Sequence, residues 1–310
     1  MKFIPPVWRD GKIVPWSETK VHVFSHALSR GTAVFEVLTA ERTDSGTALF
    51  RASDHIARMR RSATQIGMKL TYGKPALIEA MKKVVVSSKL SPAIVKVVAL
   101  WPGIEFEVIP RNRDVSMIMT AFPYPEDMGP KRSKGSRNSE KGLKACIVKT
   151  RKLDPDSVPV TSKVAANYLN PMLAKMEAKK RRADIPVLLD KNGYIAEGAT
   201  ESVFIVKKGI LYTPAEGNIL PGITRDTVIK LAGDIGVEVR EKKLKPNAFD
   251  GAEEVFFTAS PDWLLHASSM NGKIVGDGKK GDVTKSLLDR FEQVVRGRVA
   301  RRRGWLVPIK

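Results

Sequence analysis

The sequence predicts a mixed α/β (α+β) protein in two unequal domains. Three observations carry that expectation. A chain of 310 residues is long for a single hydrophobic core. Strand-like runs alternate with runs at helical spacing along its length. Between Tyr124 and Lys141 the composition changes to Pro, Gly, Ser, Lys and Arg, with almost no apolar residues. The expected division is a small N-terminal α/β domain over residues 1–123, an interdomain loop over 124–141 and a larger C-terminal domain over 142–310.

The elements follow in order. Ser53 stands where a helix N-cap belongs, ahead of Ile56, Met59, Ala63 and Ile66 at helical spacing. Pro75 suits the first turn of a second helix running to about Ser88, where its missing N–H costs nothing. Residues 93–100 and 115–122 are rich in β-branched side chains and read as strands. Past the loop come a strand over 143–148, a helix over about 164–182 and short strands at 187–189, 202–206 and 210–212. A helix over 224–235 is stopped by Gly236, and a strand covers 254–258. In the last helix Val283, Leu287, Leu288, Phe291, Val294 and Val295 form an apolar stripe. There is no internal repeat.

Composition narrows the function. With 43% hydrophobic and 28% charged residues the chain reads as a soluble globular protein. No apolar run approaches a bilayer span, and Met1 to Arg9 carries Pro5 and Pro6 without an apolar stretch, so no signal peptide is expected. Cys146 is the only cysteine, which excludes an intramolecular disulfide and agrees with a cytoplasmic location. His22, His26, His55 and His266 lack metal-ligand spacing, so no metal is expected. The net charge is +20, but its clusters at 131–134, 179–182 and 301–303 have no interleaved aromatics. They read as solvated surface, with neither a specific nucleic acid nor a membrane as partner.

The informative residues come as an ordered set. Lys163 sits in Val-Thr-Ser-Lys-Val-Ala-Ala-Asn-Tyr, among small and apolar neighbours. Desolvation there raises the neutral, nucleophilic fraction of an amine. Glu197 follows in Tyr-Ile-Ala-Glu-Gly, and Leu220-Pro221-Gly222-Ile223-Thr224 leads into a helix. A lysine able to form a Schiff base, a carboxylate able to hold a proton on a ring nitrogen, and a Gly-containing turn at a helix N-terminus together supply what pyridoxal 5'-phosphate (PLP) needs.

This set resembles the class IV (fold type IV) PLP-dependent aminotransferases, above all the branched-chain amino acid aminotransferases, from about Val21 to Trp305. The resemblance implies that Lys163 carries the cofactor and shuttles a proton between substrate Cα and cofactor C4′, while Glu197 pairs with the pyridine nitrogen. It also implies that Arg58, Ser260 and the N–H groups of Ile223 and Thr224 bind the phosphate. Leu220 then packs on the ring and Tyr168 bonds the phenolic oxygen. Residues 25–36 (Ser-His-Ala-Leu-Ser-Arg-Gly-Thr-Ala-Val-Phe-Glu) match a segment lining the substrate pocket. Phe35 stands there for a pocket phenylalanine, and Tyr124 resembles an aromatic residue closing over the substrate. A homodimer is also implied, with pocket residues from one small domain reaching the other subunit's cofactor.

Four departures fall in the substrate pocket. Arg30 stands for a tyrosine, Val37 for a glycine, and Lys96 for an arginine that receives a distal carboxylate. Pro261-Asp262 stands for two small residues in a turn whose N–H groups help hold the substrate carboxylate; proline has no N–H. The expected activity is transfer of an amino group from an aliphatic, branched-chain L-amino acid to 2-oxoglutarate. The departures leave open a D-amino acid or (R)-amine transaminase, an aminodeoxychorismate lyase, and a non-catalytic PLP-binding relative.

Overall fold

Strands β1 (Val7–Arg9), β2 (Lys12–Val14), β3 (Val34–Thr43), β4 (Gly46–Phe50), β5 (Ala93–Leu100) and β6 (Ser116–Phe122) build the first sheet. A late strand, β15 (Leu306–Ile309), joins it at one edge, giving the order β15-β4-β3-β5-β6-β1-β2 with every pairing antiparallel. Helices α1 (His26–Arg30), α2 (Ala52–Gln65) and α3 (Lys74–Ser88) lie between these strands in sequence. A computed structural model describes residues 4–123 and 141–309 of the chain.

The second sheet contains β7 (Leu143–Arg151), β8 (Ile185–Leu189), β9 (Ser202–Lys207), β10 (Ile210–Thr213), β11 (Val239–Glu241), β12 (Glu254–Ala259) and β13 (Trp263–Met270). Its order is β11-β10-β9-β12-β13-β7-β8, with β14 (Lys273–Ile274) on β13. Parallel pairs (β10 with β11, β13 with β7, β7 with β8) mix with antiparallel ones. Helices α4 (Leu169–Lys180), α5 (Ile223–Asp234) and α6 (Asp282–Val295) complete the set.

The described residues group into two compact units. One takes those of Met1–Tyr124 with Ser162–Ala166 and Val294–Lys310; the other takes those of Pro125–Thr161 with Asn167–Gln293. In the first, Leu38, Leu49, Ile56, Met59, Leu77, Met81 and Met117 are fully buried in one cluster between sheet and helices. In the second, Val187, Val203, Ile205, Val255 and Phe257 form the main core, while Phe204 stacks on Phe256 at 5.0 Å. The short helix-period and strand-period runs thus become elements because each buries one face.

The structure differs from the sequence reading at several places, among them the described residues of Val294–Lys310, which group with the N-terminal sheet and not with the rest of 142–310. Ser53 does not cap α2: the helix starts at Ala52, two residues earlier than a Ser53 cap would put it, behind Arg51, which has φ +51° and makes no side-chain cap bond. Residues 165–168 are a single 3-10 turn and α4 begins only at Leu169, so the strip around Lys163 is extended rather than helical. That strip also groups with the N-terminal sheet and not with residues 142–161. Strand β13 had no two-residue period to reveal it, because His266, Ala267, Ser268 and Ser269 interrupt its apolar residues.

Candidate active site

In the first unit, Ser162–Ala166 lies along the start of β3 as an added piece of sheet. The Phe35 N–H donates to the Lys163 carbonyl (3.0 Å), Ala165 N–H to Ala33 (2.8 Å) and Ala166 N–H to Gly31 (2.8 Å). Gly31 caps α1 with φ +67°, and a Cβ there would stand 3.1 Å from the Ala166 backbone. Only glycine fits both demands. From the other side the Lys163 N–H donates to the Ser62 hydroxyl (2.9 Å), and the Ser162 hydroxyl bonds Gln65. The backbone of Lys163 is therefore fixed on both flanks, and its half-buried side chain ends 5.0 Å from the centre of the Phe35 ring.

Phe35, Val37 and Lys96 share one face of the sheet. Val37 and Lys96 are directly opposite across β3 and β5, and the Lys96 ammonium lies 5.7 Å from the same Phe35 ring. One aromatic ring thus lies beside two lysine side chains, an arrangement that attracts a cation. Arg30 is exposed, and its guanidinium donates to the carbonyls of Phe106 (3.3 Å) and Ser29 (3.2 Å). Tyr124 lies outside the described residues.

Arg58 is buried and held as a fork. Its Nε and Nη2 donate to the two oxygens of Glu36, each at 2.7 Å. His55 Nδ1 lies 2.7 Å from Glu36 Oε2, so that nitrogen carries the proton. Arg58 and His55 hold the Glu36 carboxyl far below the usual carboxylate range, although burial opposes them. Burial holds His55 neutral, pushing its pKa down against the pull of Glu36. Glu36 and His55 escaped the sequence reading. A signal existed: His55, Arg58, Ser62 and Gln65 form a polar stripe at helical spacing on α2.

In the second unit Glu197 is buried. Its Oε1 pairs with the Lys152 ammonium at 2.5 Å and its Oε2 accepts the Leu220 N–H at 3.2 Å. Lys152 was not foreseen; it lies in a stretch of scattered charge with no periodicity. Pro221-Gly222 follows Leu220, and α5 starts at buried Ile223 and Thr224, with Gly222 as an N-cap lacking a side chain. A Cβ on Gly222 would stand 2.8 Å from the Ser202 hydroxyl, so this turn needs glycine for its close approach. The Thr224 hydroxyl meets that of Ser260 at 3.4 Å. Thr258, opposite Ser202 in the ladder and two residues before Ser260, buries a hydroxyl without a hydrogen-bond partner. Hydroxyls gathered at the positive end of a helix suit a phosphate, and a buried carboxylate suits a protonated ring nitrogen. These residues fit PLP.

Three other expected residues are also in this unit. Tyr168 is half-buried at the start of α4. Pro261 and Asp262 form the turn between β12 and β13, where the Asp262 N–H donates to Ala259 at 3.0 Å. Among the described residues no group of three or more His, Cys, Asp or Glu side chains is placed to hold a metal, and no helix is long and apolar enough to cross a membrane.

Comparison with known proteins shows the family. The model of the amino-transferase class IV family matches residues 33–268. The branched-chain-amino-acid aminotransferase of Salmonella typhimurium is 33% identical over 305 residues, covering 98% of this chain and 97% of that protein. The Escherichia coli K12 enzyme of the same name is 33% identical over 97% of this chain and 96% of its own. A crystal structure of the Escherichia coli enzyme matches with TM-score 0.93 and 33% identity, over 99% of this chain and 100% of that one. The Thermobaculum terrenum branched-chain amino acid aminotransferase in its PLP (holo) form matches with TM-score 0.91 and 28% identity over 100% of both chains. The mixed α/β architecture is accordingly that of fold type IV, and the chain belongs to the class IV aminotransferases, a PLP-dependent enzyme family.

Proposed function

We propose that this class IV aminotransferase moves the amino group of a branched-chain L-amino acid to 2-oxoglutarate, with Lys163 as its Schiff-base lysine. The observation that carries the reading is the double fixing of Lys163, between β3 and Ser62, with its amine beside Phe35. A catalytic amine must return to one place in each half-reaction, and a backbone anchored on both flanks provides that. Its role is to hold the cofactor and then to move a proton at the substrate Cα. Bound PLP supplies an electron-withdrawing pyridinium conjugated to the carbon that receives the amino group. Glu197 would keep the ring nitrogen protonated. Thr224, Ser260, the Ile223 backbone and Arg58 would hold the phosphate, Leu220 would pack on the ring and Tyr168 would bond its phenolic oxygen.

For the substrate, Phe35 and Val37 offer an apolar wall and Lys96 one charge on the same sheet face. An aliphatic side chain suits the wall, and the distal carboxylate of 2-oxoglutarate suits Lys96. The lysine gives one charged contact where an arginine gives two, so 2-oxoglutarate should bind about ten-fold less tightly than with arginine there. The named relatives, all branched-chain amino acid aminotransferases, support this choice. One observation favours an (R)-amine donor, which has no carboxylate to hold: Pro261 has no N–H, and that of Asp262 is already given to Ala259.

For assembly we propose a homodimer. Phe24, Leu28, Ile104, Phe106, Val108 and Ile109 are exposed together in the first unit, with Phe24 and Phe106 rings 5.3 Å apart. Solvated apolar patches of this kind mark interaction surfaces.

The test has two arms. Borohydride reduction followed by peptide mapping should label Lys163, and Lys163→Ala should lose the adduct and essentially all turnover; an adduct on another lysine overturns the assignment. Leucine, isoleucine and valine should exceed D-amino acids and (R)-amines as donors to 2-oxoglutarate. Lys96→Ala should impair the acceptor half-reaction more than the leucine half-reaction, and equal losses would refute the role of Lys96.

A further inference from the structure

Lys152 and Glu197 form an ion pair of 2.5 Å in which each side chain is only 9% exposed. Both residues are positioned by the end of β8. The Lys152 N–H donates to the Leu189 carbonyl (2.9 Å), and the Leu188 N–H donates to the Glu197 carbonyl (2.9 Å). The ladder between β7 and β8 runs regularly to Ile147, then shifts register before Arg151 pairs with Leu189. That irregularity leaves Lys152 beside the end of β8, to which the Glu197 backbone is also paired. The ammonium therefore does not reach Glu197 from a loose surface loop; backbone pairing holds both partners.

A carboxylate this deeply buried is costly unless a counter-ion faces it. One Glu197 oxygen is met by Lys152 and the other by the Leu220 N–H, but a carboxylate accepts about four hydrogen bonds. Capacity for a further donor remains. We propose, on the reading of Glu197 as the carboxylate for the cofactor ring nitrogen, that Lys152 is its standing counter-ion, a positioning residue. It holds the Glu197 carboxylate aimed whether or not PLP is bound. In the loaded enzyme the ring N–H becomes a second cationic partner, so Glu197 then depends less on the lysine. The ring-nitrogen site is thus built before the cofactor arrives, and cofactor binding need not be coupled to neutralising a buried charge.

The test is a double-mutant cycle of Lys152→Met and Glu197→Gln, melted both stripped of PLP and saturated with it. In the stripped protein Lys152→Met should lower the melting temperature by roughly 5 °C or more, because one partner of a buried pair is removed. The drop should shrink by at least half with PLP and nearly vanish in the Glu197→Gln background, and Lys152→Arg should behave like the parent. Equal drops with and without PLP, or an undiminished drop beside Glu197→Gln, overturn the proposal. If Lys152→Met alone fails to fold, folding of the double variant supports it and failure of both overturns it. The underlying reading has its own readout. In the loaded enzyme Glu197→Gln should move the 15N resonance of labelled PLP's ring nitrogen. An unmoved resonance refutes that reading, while the cycle in stripped protein still reports the pair.

Discussion

At the scale of single residues, Glu36 shows what a sequence hides. Its neighbours Phe35 and Val37 face the opposite side of β3, so strand alternation sends Glu36 towards α2, where an apolar residue is the usual occupant. Instead it meets Arg58 and His55. Both titrations point the same way. The carboxyl of Glu36 is depressed when folded, so its contribution is complete above an unfolded value of about 4.3 and is lost as pH falls below it. His55 is held neutral with its pKa lowered, so the unfolded chain binds the proton more readily, and stability declines as pH falls below about 6.5. Urea unfolding across pH should show two successive losses on acidification. His55→Gln should abolish the first and leave the second. Glu36→Gln should flatten the second and lower stability near neutral pH by about 3–5 kcal/mol, since Arg58 loses its buried partner. An unaltered profile for His55→Gln would contradict this account. Lys163 and Glu197 stand out in the sequence by their neighbours and His55 by the polar stripe on α2, whereas Glu36 and Lys152 are recognisable only once the chain has brought their partners to them.

At the scale of elements, the helices were more legible than the connections. The stripes on α2 and α6 and the Pro75 start of α3 are local signals, and the structure places those helices close to the expected bounds. The extended strip at 162–166 carries no local signal, because its hydrogen bonds go to β3, over a hundred residues away in sequence. The turn into α5 lies between these cases. Pro-Gly before a helix is common, and only its neighbours Ser202, Thr258 and Ser260 distinguish it here. Gly222→Ala should press a methyl group on the Ser202 hydroxyl and displace the first turn of α5. The expected result is about ten-fold weaker PLP affinity by fluorescence titration, or ~1.4 kcal/mol, with a smaller effect on melting of the stripped protein. Equal PLP affinity in parent and variant would show that this turn does not touch the phosphate.

At the scale of the whole molecule, composition bounded the class while the assembly had to be inferred. The +20 charge says little about the reaction, whereas the exposed apolar group around Phe106 concerns partners directly. Sedimentation at micromolar concentration should give a dimer or larger species, and Phe106→Asp should shift it towards monomer with loss of activity; a fully active monomeric parent would refute the role of this surface. The late strand β15 has a different reach. It pairs with β4 along residues 306–309, and Ser162–Ala166 likewise belongs with β3. The first sheet to leave the ribosome is thus the last to be finished. Its edge stays open until residue 309 has emerged, which at 5–20 residues per second is roughly 13–50 s after β4 is made. During that interval β4 exposes unpaired N–H and C=O groups, as any bare edge strand does. A nascent chain stalled before residue 306 should therefore bind chaperones and remain protease-sensitive throughout its N-terminal third.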